Sequence, residues 1–226
     1  MFDEKNVKMI IALLKASGTT LEVFFLTLLF AIPLALPITM GRMSKNKLLS
    51  GTTNLFLLII RGTPLMLQLL VVYFGPALLI YWFKKNGFEV MFKWERFPAA
   101  IIALSINYAA YFAEIYRGGI ESIPKGQYEA AKVLGYTRSQ CAFKIILPQV
   151  VKRIVPAMGN EVITLVKDTA LVSVIAVSEL LLVAKERQSS MSSFVPLFVA
   201  GVIYFVMNWV VSLVFARLEK KLSYYR

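Results

Sequence analysis

The chain has 226 residues, 58% of them hydrophobic, a formal net charge of +12 and a mean hydropathy of +0.68. Soluble domains are nearer to about 45–50% apolar, so the composition points to a membrane protein. With no histidine and one cysteine, Cys141, the chain excludes a histidine general base, an internal disulfide and a His/Cys zinc site. In so apolar a chain the positive charge reads as membrane topology rather than nucleic-acid binding, because basic residues gather in loops that stay in the cytoplasm.

The first stretch, MFDEKNVKMIIALLKASG, places acids ahead of its apolar run and has no small-residue cleavage site. No cleaved leader is expected there. Val7, Ile10, Ile11 and Leu14 share one helical face, which suits either an amphipathic segment on the membrane surface or a frayed terminus.

A helix needs about 20 apolar residues to cross the hydrocarbon core. Spans are expected over 20–41, 53–83, 97–118, 152–168 and 193–217, within one transmembrane domain covering 1–226. Pro33 and Pro37 fall in the first span, and Pro64, Pro76 and Arg61 in the second. These prolines suit helices bent around something, or ordinary kinked packing. From Phe97 to Tyr116 the only charge is Glu114. The stretch 154–184 is interrupted by Glu161, Lys167, Asp168 and Glu179, so the fourth span is expected to give way to a bent, partly inserted outer segment.

Basic residues set the orientation. Loop 42–53, loop 117–153 and the tail hold fourteen lysines and arginines, against nine on the other side. The excess predicts an N-terminus outside and a C-terminus in the cytoplasm.

The segment 122–148 is a polar insert on the basic side. Pro124 suits a first helical turn. A helix over 127–134 would put Ala130, Ala131 and Leu134 on one side and end at Gly135. Thr137 and Gln140 form a T-x-x-Q capping box for a second helix, expected to run to Leu147 and stop at Pro148. Neither helix is stable alone at that length, so each needs a partner surface.

The segment EAAKVLGYTRSQCAFKIILP resembles the signature loop of ABC-importer permeases, with matches at Glu129, Ala130, Ala131, Gly135, Ile145, Leu147 and Pro148. RGTPLMLQLLVVYFG, YFAEIYRGGIESIPKGQYEAAKVLG and LPQVVKRIVPAMGNEVITLVKDTALVSVI are similar to the polar-amino-acid uptake branch of that family. The resemblance covers residues 17 to 218. It implies an all-α integral membrane protein with the MetI-like ABC permease fold, five transmembrane helices and a cytoplasmic coupling helix. It also implies a dimer of permease subunits, of one kind or two, with ABC ATPase subunits beneath and an extracytoplasmic amino-acid-binding protein. Glu129, Ala130, Ala131, Gly135, Leu147 and Pro148 would then couple the permease to the ATPase. Independently, the sequence contains no G-x-x-x-x-G-K-[ST] phosphate loop. ATP–Mg is therefore expected on the partner subunit, with no cofactor, metal or nucleic acid bound by this chain.

Ionisable groups inside a bilayer are costly and are the first candidates for function. Glu161 lies near the midplane of the fourth span beside Asn160, with Thr164 and Asp168 on its face. Asn107, Tyr111 and Glu114 share a face of the third span. A polar cavity is expected between them, in which Glu161 meets a positive substrate group while Asn107 and Asn160 orient it. Arg61, the backbone at Gly62–Thr63–Pro64, and Gln68 would meet an α-carboxylate. Glu114 has a second reading, as an i,i+3 ion pair with Arg117. Lys167 and Asp168 suit an outer-leaflet charge pair. Acids near the midplane favour a basic amino acid such as arginine, lysine or histidine, and glutamine or glutamate is the alternative. An ion-driven secondary transporter is opposed by the missing inverted repeat, and a receptor or assembly protein is a third class.

Overall fold

The computed structural model describes residues 4–88 and 94–222. Lys93 and Arg226, both counted in the charge balance, lie outside these residues. The described chain is all-helical: α1 Glu4–Arg42, α2 Lys47–Gly62, α3 Leu65–Lys85, α4 Arg96–Glu121, α5 Lys125–Val133, α6 Arg138–Gln140, α7 Leu147–Asp168, α8 Leu180–Met191 and α9 Val195–Leu222. A π segment, Cys141–Ile146, joins α6 to α7, and a 3₁₀ segment, Thr169–Ile175, continues α7. Four helices, α1, α3, α4 and α9, are long and apolar enough to cross a membrane. The expected fourth span lies in α7, which carries five charges between Lys152 and Asp168.

The centre of the bundle is α4. Ala99, Ala100, Ala103, Ala109, Ala110 and Ala113 are all buried along it. Small side chains let backbones approach closely, which matters in lipid, where burial of apolar surface gives helices little reason to associate. Thr39 on α1 shows how close: its hydroxyl donates to Ala35 O at 2.8 Å and to Ala113 O of α4 at 3.1 Å. Gly119, near the end of α4, lies so close to Ile154 of α7 that any Cβ there would clash with the isoleucine side chain.

Three expectations need correction. The N-terminal stretch is neither a separate surface segment nor frayed from Glu4 onward. It is the first part of a continuous 39-residue helix, about 58 Å long at roughly 1.5 Å per residue. Its buried row is Met9, Leu13, Ala16 and Thr20, with Met9 and Leu13 against Leu180, Ala184 and Ala200. Val7, Ile11 and Leu14, from the expected face, are exposed. Contact with α8 and α9 selects the row.

The second span is not one helix. The stretch 53–83 is divided between α2 and α3 by Thr63 (φ −117°, ψ 147°) and Pro64 (φ −62°, ψ 132°). The proline ring disfavours a helical conformation for the preceding residue, so the chain extends there.

The helix after Thr137 does not stop at Pro148. It runs through the π segment into α7, with Pro148 in the first turn of that helix. In an α-helix the proline ring would meet the carbonyl four residues back. The wider π turn immediately upstream, in which Leu147 N–H donates to Ala142 O, lets the helical path continue.

Candidate functional site

The α2–α3 break frees backbone carbonyls in a region where water is scarce, and side chains satisfy them. Thr63 Oγ1 donates to Ile59 O at 2.8 Å. Gln68 Nε2 reaches back from α3 to Ile60 O (2.7 Å), Thr63 O (3.2 Å) and Thr63 Oγ1 (2.8 Å). Asn107 Nδ2 of α4, itself only 4% exposed, donates to Gln68 Oε1 at 2.9 Å. Asn107, Gln68 and Thr63 therefore form one connected polar track that fixes the break against the central helix.

Arg61 stands in the last turn of α2, two residues before Thr63. Its guanidinium lies 5.3 Å from the centre of the Tyr111 ring, and Nη1 is 3.7 Å from Glu114 Oε2. Glu114 is the centre of a charged hub. Arg117 Nη2 donates to its Oε2 at 2.7 Å, and Arg42 Nε is 3.7 Å from its Oε1. Arg117 also bonds Glu121 at 2.5 Å. The i,i+3 pair read from the sequence is present, joined by arginines from α1 and α2. Glu114 is thus occupied by cations of its own chain.

Glu161 differs. It is half-buried on α7 and among the described residues accepts no hydrogen bond and forms no ion pair. The charges of Arg61 and Asp168 both act on it. Asn160 beside it is exposed, and Thr164 Oγ1 turns back to Asn160 O at 3.0 Å. The structure therefore gathers Arg61, Thr63, Gln68, Asn107, Tyr111 and Glu114 into contacting networks and leaves Glu161 outside them.

Two buried pairs escaped the sequence reading. Tyr108 donates its hydroxyl to Asp168 Oδ2 at 2.7 Å, joining α4 to the end of α7, so Asp168 is engaged across the bundle rather than only by its neighbour Lys167. Glu179, fully buried, caps α8: its carboxylate accepts from Leu181 N and Leu182 N, each at 2.8 Å, and from Tyr204 Oη of α9 at 2.6 Å. Thr20 of α1 accepts from Leu180 N at 3.1 Å. A glutamate immediately before Leu180–Leu181–Leu182 is a readable N-cap signal; its tyrosine partner is not.

At the end of the bundle formed by α5 to α7, local chemistry follows the sequence closely. Gly135 takes φ +77°. Tyr136 N donates to Ala131 O and Gly135 N to Lys132 O, the paired bonds of a Schellman C-cap. Thr137 and Gln140 complete the capping box. Ala131 is buried with Ile123, Cys141, Ile146 and Val150, whereas Glu129, Ala130, Gly135, Leu147 and Pro148 are exposed. Val133 and Leu134 at the tip are 87% and 73% exposed. Large apolar side chains so uncovered mark a surface made for another protein or for lipid.

An all-α bundle with four helices of membrane-spanning length, a polar break tied to its central helix and a capped helix pair at one end fits a membrane transport component. The chain belongs to the family of binding-protein-dependent transport system inner membrane components, whose model matches residues 16–224. Over 201 residues it is 38% identical to the nopaline transport system permease protein NocM of Agrobacterium fabrum, covering 88% of this chain and 83% of that one. It is 35% identical to the arginine transport system permease protein ArtQ of Bacillus subtilis, covering 93% and 92%. Among solved structures, an amino acid ABC transporter crystallised with histidines superimposes with a TM-score of 0.81 at 33% identity, covering 98% of this chain and 100% of that one. The fold is the MetI-like ABC permease fold. The protein is a multi-pass membrane permease subunit of an ABC importer, a transport component rather than an enzyme, and it works with a separate ATPase and a binding protein.

Proposed function

We propose that the subunit carries polar amino acids, basic ones in particular, through a site between the α2–α3 break and α7. The observation that carries this is Glu161, half-buried on α7 with no bonded partner among the described residues, together with the part-exposed guanidinium of Arg61 at the end of α2. Arg61 is 43% exposed in its side chain and held from behind by Tyr111 and Glu114. Glu161 has no bonded partner among the described residues and feels the Arg61 charge. A part-exposed guanidinium and an unpartnered carboxylate match an amino acid that presents its α-carboxylate to Arg61 and a cation to Glu161. Guanidinium–carboxylate pairs are among the strong charge-assisted contacts.

In this reading Asn160 orients the substrate, while Thr63, Gln68 and Asn107 hold the break. Glu114 acts through Arg61 as a positioning residue. The names of two of the related proteins, for arginine and with histidines, support a basic substrate. The charge balance supports an N-terminus outside and a cytoplasmic α5–α7 corner in a prokaryotic inner membrane. There Glu129, Ala130, Ala131, Gly135, Leu147 and Pro148 dock an ABC ATPase that binds ATP–Mg, beneath a pair of permease subunits.

The test is binding and uptake of arginine by Glu161→Gln in the assembled transporter. Affinity is expected to fall about tenfold or more, since a charged hydrogen bond contributes roughly 1.5–3 kcal/mol. Unchanged affinity for arginine, lysine and histidine would remove Glu161 from the site.

A further inference from the structure

We propose that the groove between the last turns of α1 and α4 and the α5–α7 corner is a binding site for an anionic phospholipid, with an acyl chain along the groove and the headgroup phosphate on Lys132 and Arg138. The groove encloses about 960 Å³, inside the range of roughly 300–1,000 Å³ typical of ligand sites. Leu36 and Met40 of α1 form one wall and Val151 and Ile154 of α7 the other. Leu36 and Met40 are 55% and 73% exposed, so the apolar floor opens on the flank of a helix able to span the membrane.

The polar end is entirely cationic: Lys132 and Arg138 line it, and no acidic residue does. Both side chains are exposed, and neither has an ion-pair or hydrogen-bond partner among the described residues. Tyr116, Tyr128 and Tyr136 also line the groove, as expected of aromatic side chains at the level of lipid headgroups. Basic pockets between helices at a membrane face are suited to phosphate headgroups. A free phosphate would leave the apolar walls unfilled, and a zwitterionic lipid would bring its own cation to the two free ones. The most exposed apolar residues of the tip, Val133 and Leu134, do not line the groove. Leu147, one of the ATPase-docking residues, does line the groove, so a protein on the tip and a lipid in the groove meet at that edge, and the ATPase arm of the experiment separates them. The inference is independent of which solute the transporter carries.

The experiment is native mass spectrometry of the full chain in detergent, with dioleoyl phosphatidylglycerol or dioleoyl phosphatidylcholine added, repeated with the ATPase subunit present. Phosphatidylglycerol adducts are expected to persist where phosphatidylcholine adducts do not. Lys132→Gln and Arg138→Gln should each lower occupancy roughly fivefold, the effect of one basic residue at an anionic membrane surface. Ala142→Trp, which fills the groove without altering charge, should lower it as well. Equal retention of the two lipids, or unchanged phosphatidylglycerol retention in the Lys132→Gln/Arg138→Gln variant, would overturn the proposal. Loss of the ATPase from that variant with lipid retention intact would overturn it too, assigning the groove to a protein partner.

Discussion

Asn107 Nδ2 donates to Gln68 Oε1 at 2.9 Å, and through Gln68 the central helix α4 holds the carbonyls that the α2–α3 break leaves open. Gln68→Leu removes the acceptor for Asn107 and the donor for Ile60 and Thr63 together. Single interhelical hydrogen bonds in membrane proteins average about 0.6 kcal/mol, but unsatisfied buried groups cost about 1–3 kcal/mol. A loss of roughly 2 kcal/mol is expected for Gln68→Leu, with a smaller one for Asn107→Leu, which leaves the Gln68–backbone bonds intact. Thermal unfolding in detergent measures both. Equal shifts for the two variants would show that Gln68 does not serve the break.

Glu114 and Glu121 both bond Arg117, yet they should respond very differently to neutralisation. Glu114 is 17% exposed and also lies 3.7 Å from Arg42 and from Arg61. Glu121 is 52% exposed and pairs with Arg117 alone among the described residues. Glu114→Gln leaves Arg42 and Arg61 without their shared anion while Arg117 keeps Glu121, and the part-exposed cluster falls between exposed pairs at up to about 1 kcal/mol and buried pairs at about 3–5 kcal/mol. A loss of about 2 kcal/mol is therefore expected. Glu121→Gln should cost less than about 1 kcal/mol, as exposed pairs do. Because Arg61 is released as well, Glu114→Gln should weaken substrate binding even where the protein remains folded. Comparable melting temperatures for the two variants would contradict the hub.

Local chemistry was the legible part of this chain. The cap at Gly135 and the Thr137–Gln140 box depend on residues within a few positions of each other, and both stand as read. Pro64 and Pro148 were harder, because an apolar count ignores the backbone. One proline divides a predominantly apolar run, whereas the other lies within a helix that a π turn carries past it. The pairs that join helices were not legible. Tyr108 and Asp168 are 60 positions apart and Glu179 and Tyr204 are 25 apart, and no spacing rule links such residues before the helices are packed. For the same reason Glu114 showed only its i,i+3 partner in sequence, while Arg42 and Arg61 reach it through the fold.

Glu179 and Tyr204 make a prediction that separates a helix cap from a tertiary bond. Glu179→Ala removes both the cap on α8 and the contact with α9. Loss of a cap costs about 0.5–2 kcal/mol, and loss of the tyrosine bond adds to it. Tyr204→Phe keeps the cap and removes the tertiary bond, along with the weaker approach of the hydroxyl to Thr20 and Thr169, and is expected to cost about 1 kcal/mol, within the range of up to roughly 1.7 kcal/mol for interhelical bonds in membranes. In a double-mutant cycle the tyrosine substitution should have little further effect once Glu179 is alanine. Strict additivity of the two losses would deny the 2.6 Å contact an energetic role.

Gly135 tests the projecting corner. It lies at φ +77°, and a Cβ built there meets nothing within 4 Å. Steric crowding is therefore absent, and the cost of Gly135→Ala is conformational, about 1–2 kcal/mol for a left-handed residue with a side chain. The corner is small, with Ala131 packed on Cys141 and Ile146, so strain there should distort the corner rather than unfold the bundle. In the assembled transporter, Gly135→Val is expected to leave the melting temperature of the membrane bundle within a few degrees of wild type. It should nonetheless abolish substrate-stimulated ATP hydrolysis or release the ATPase. Size-exclusion co-elution separates these two results, and each places the corner at the coupling surface. Normal uptake with a normal complex would mean that the Schellman turn shapes the corner without transmitting force through it.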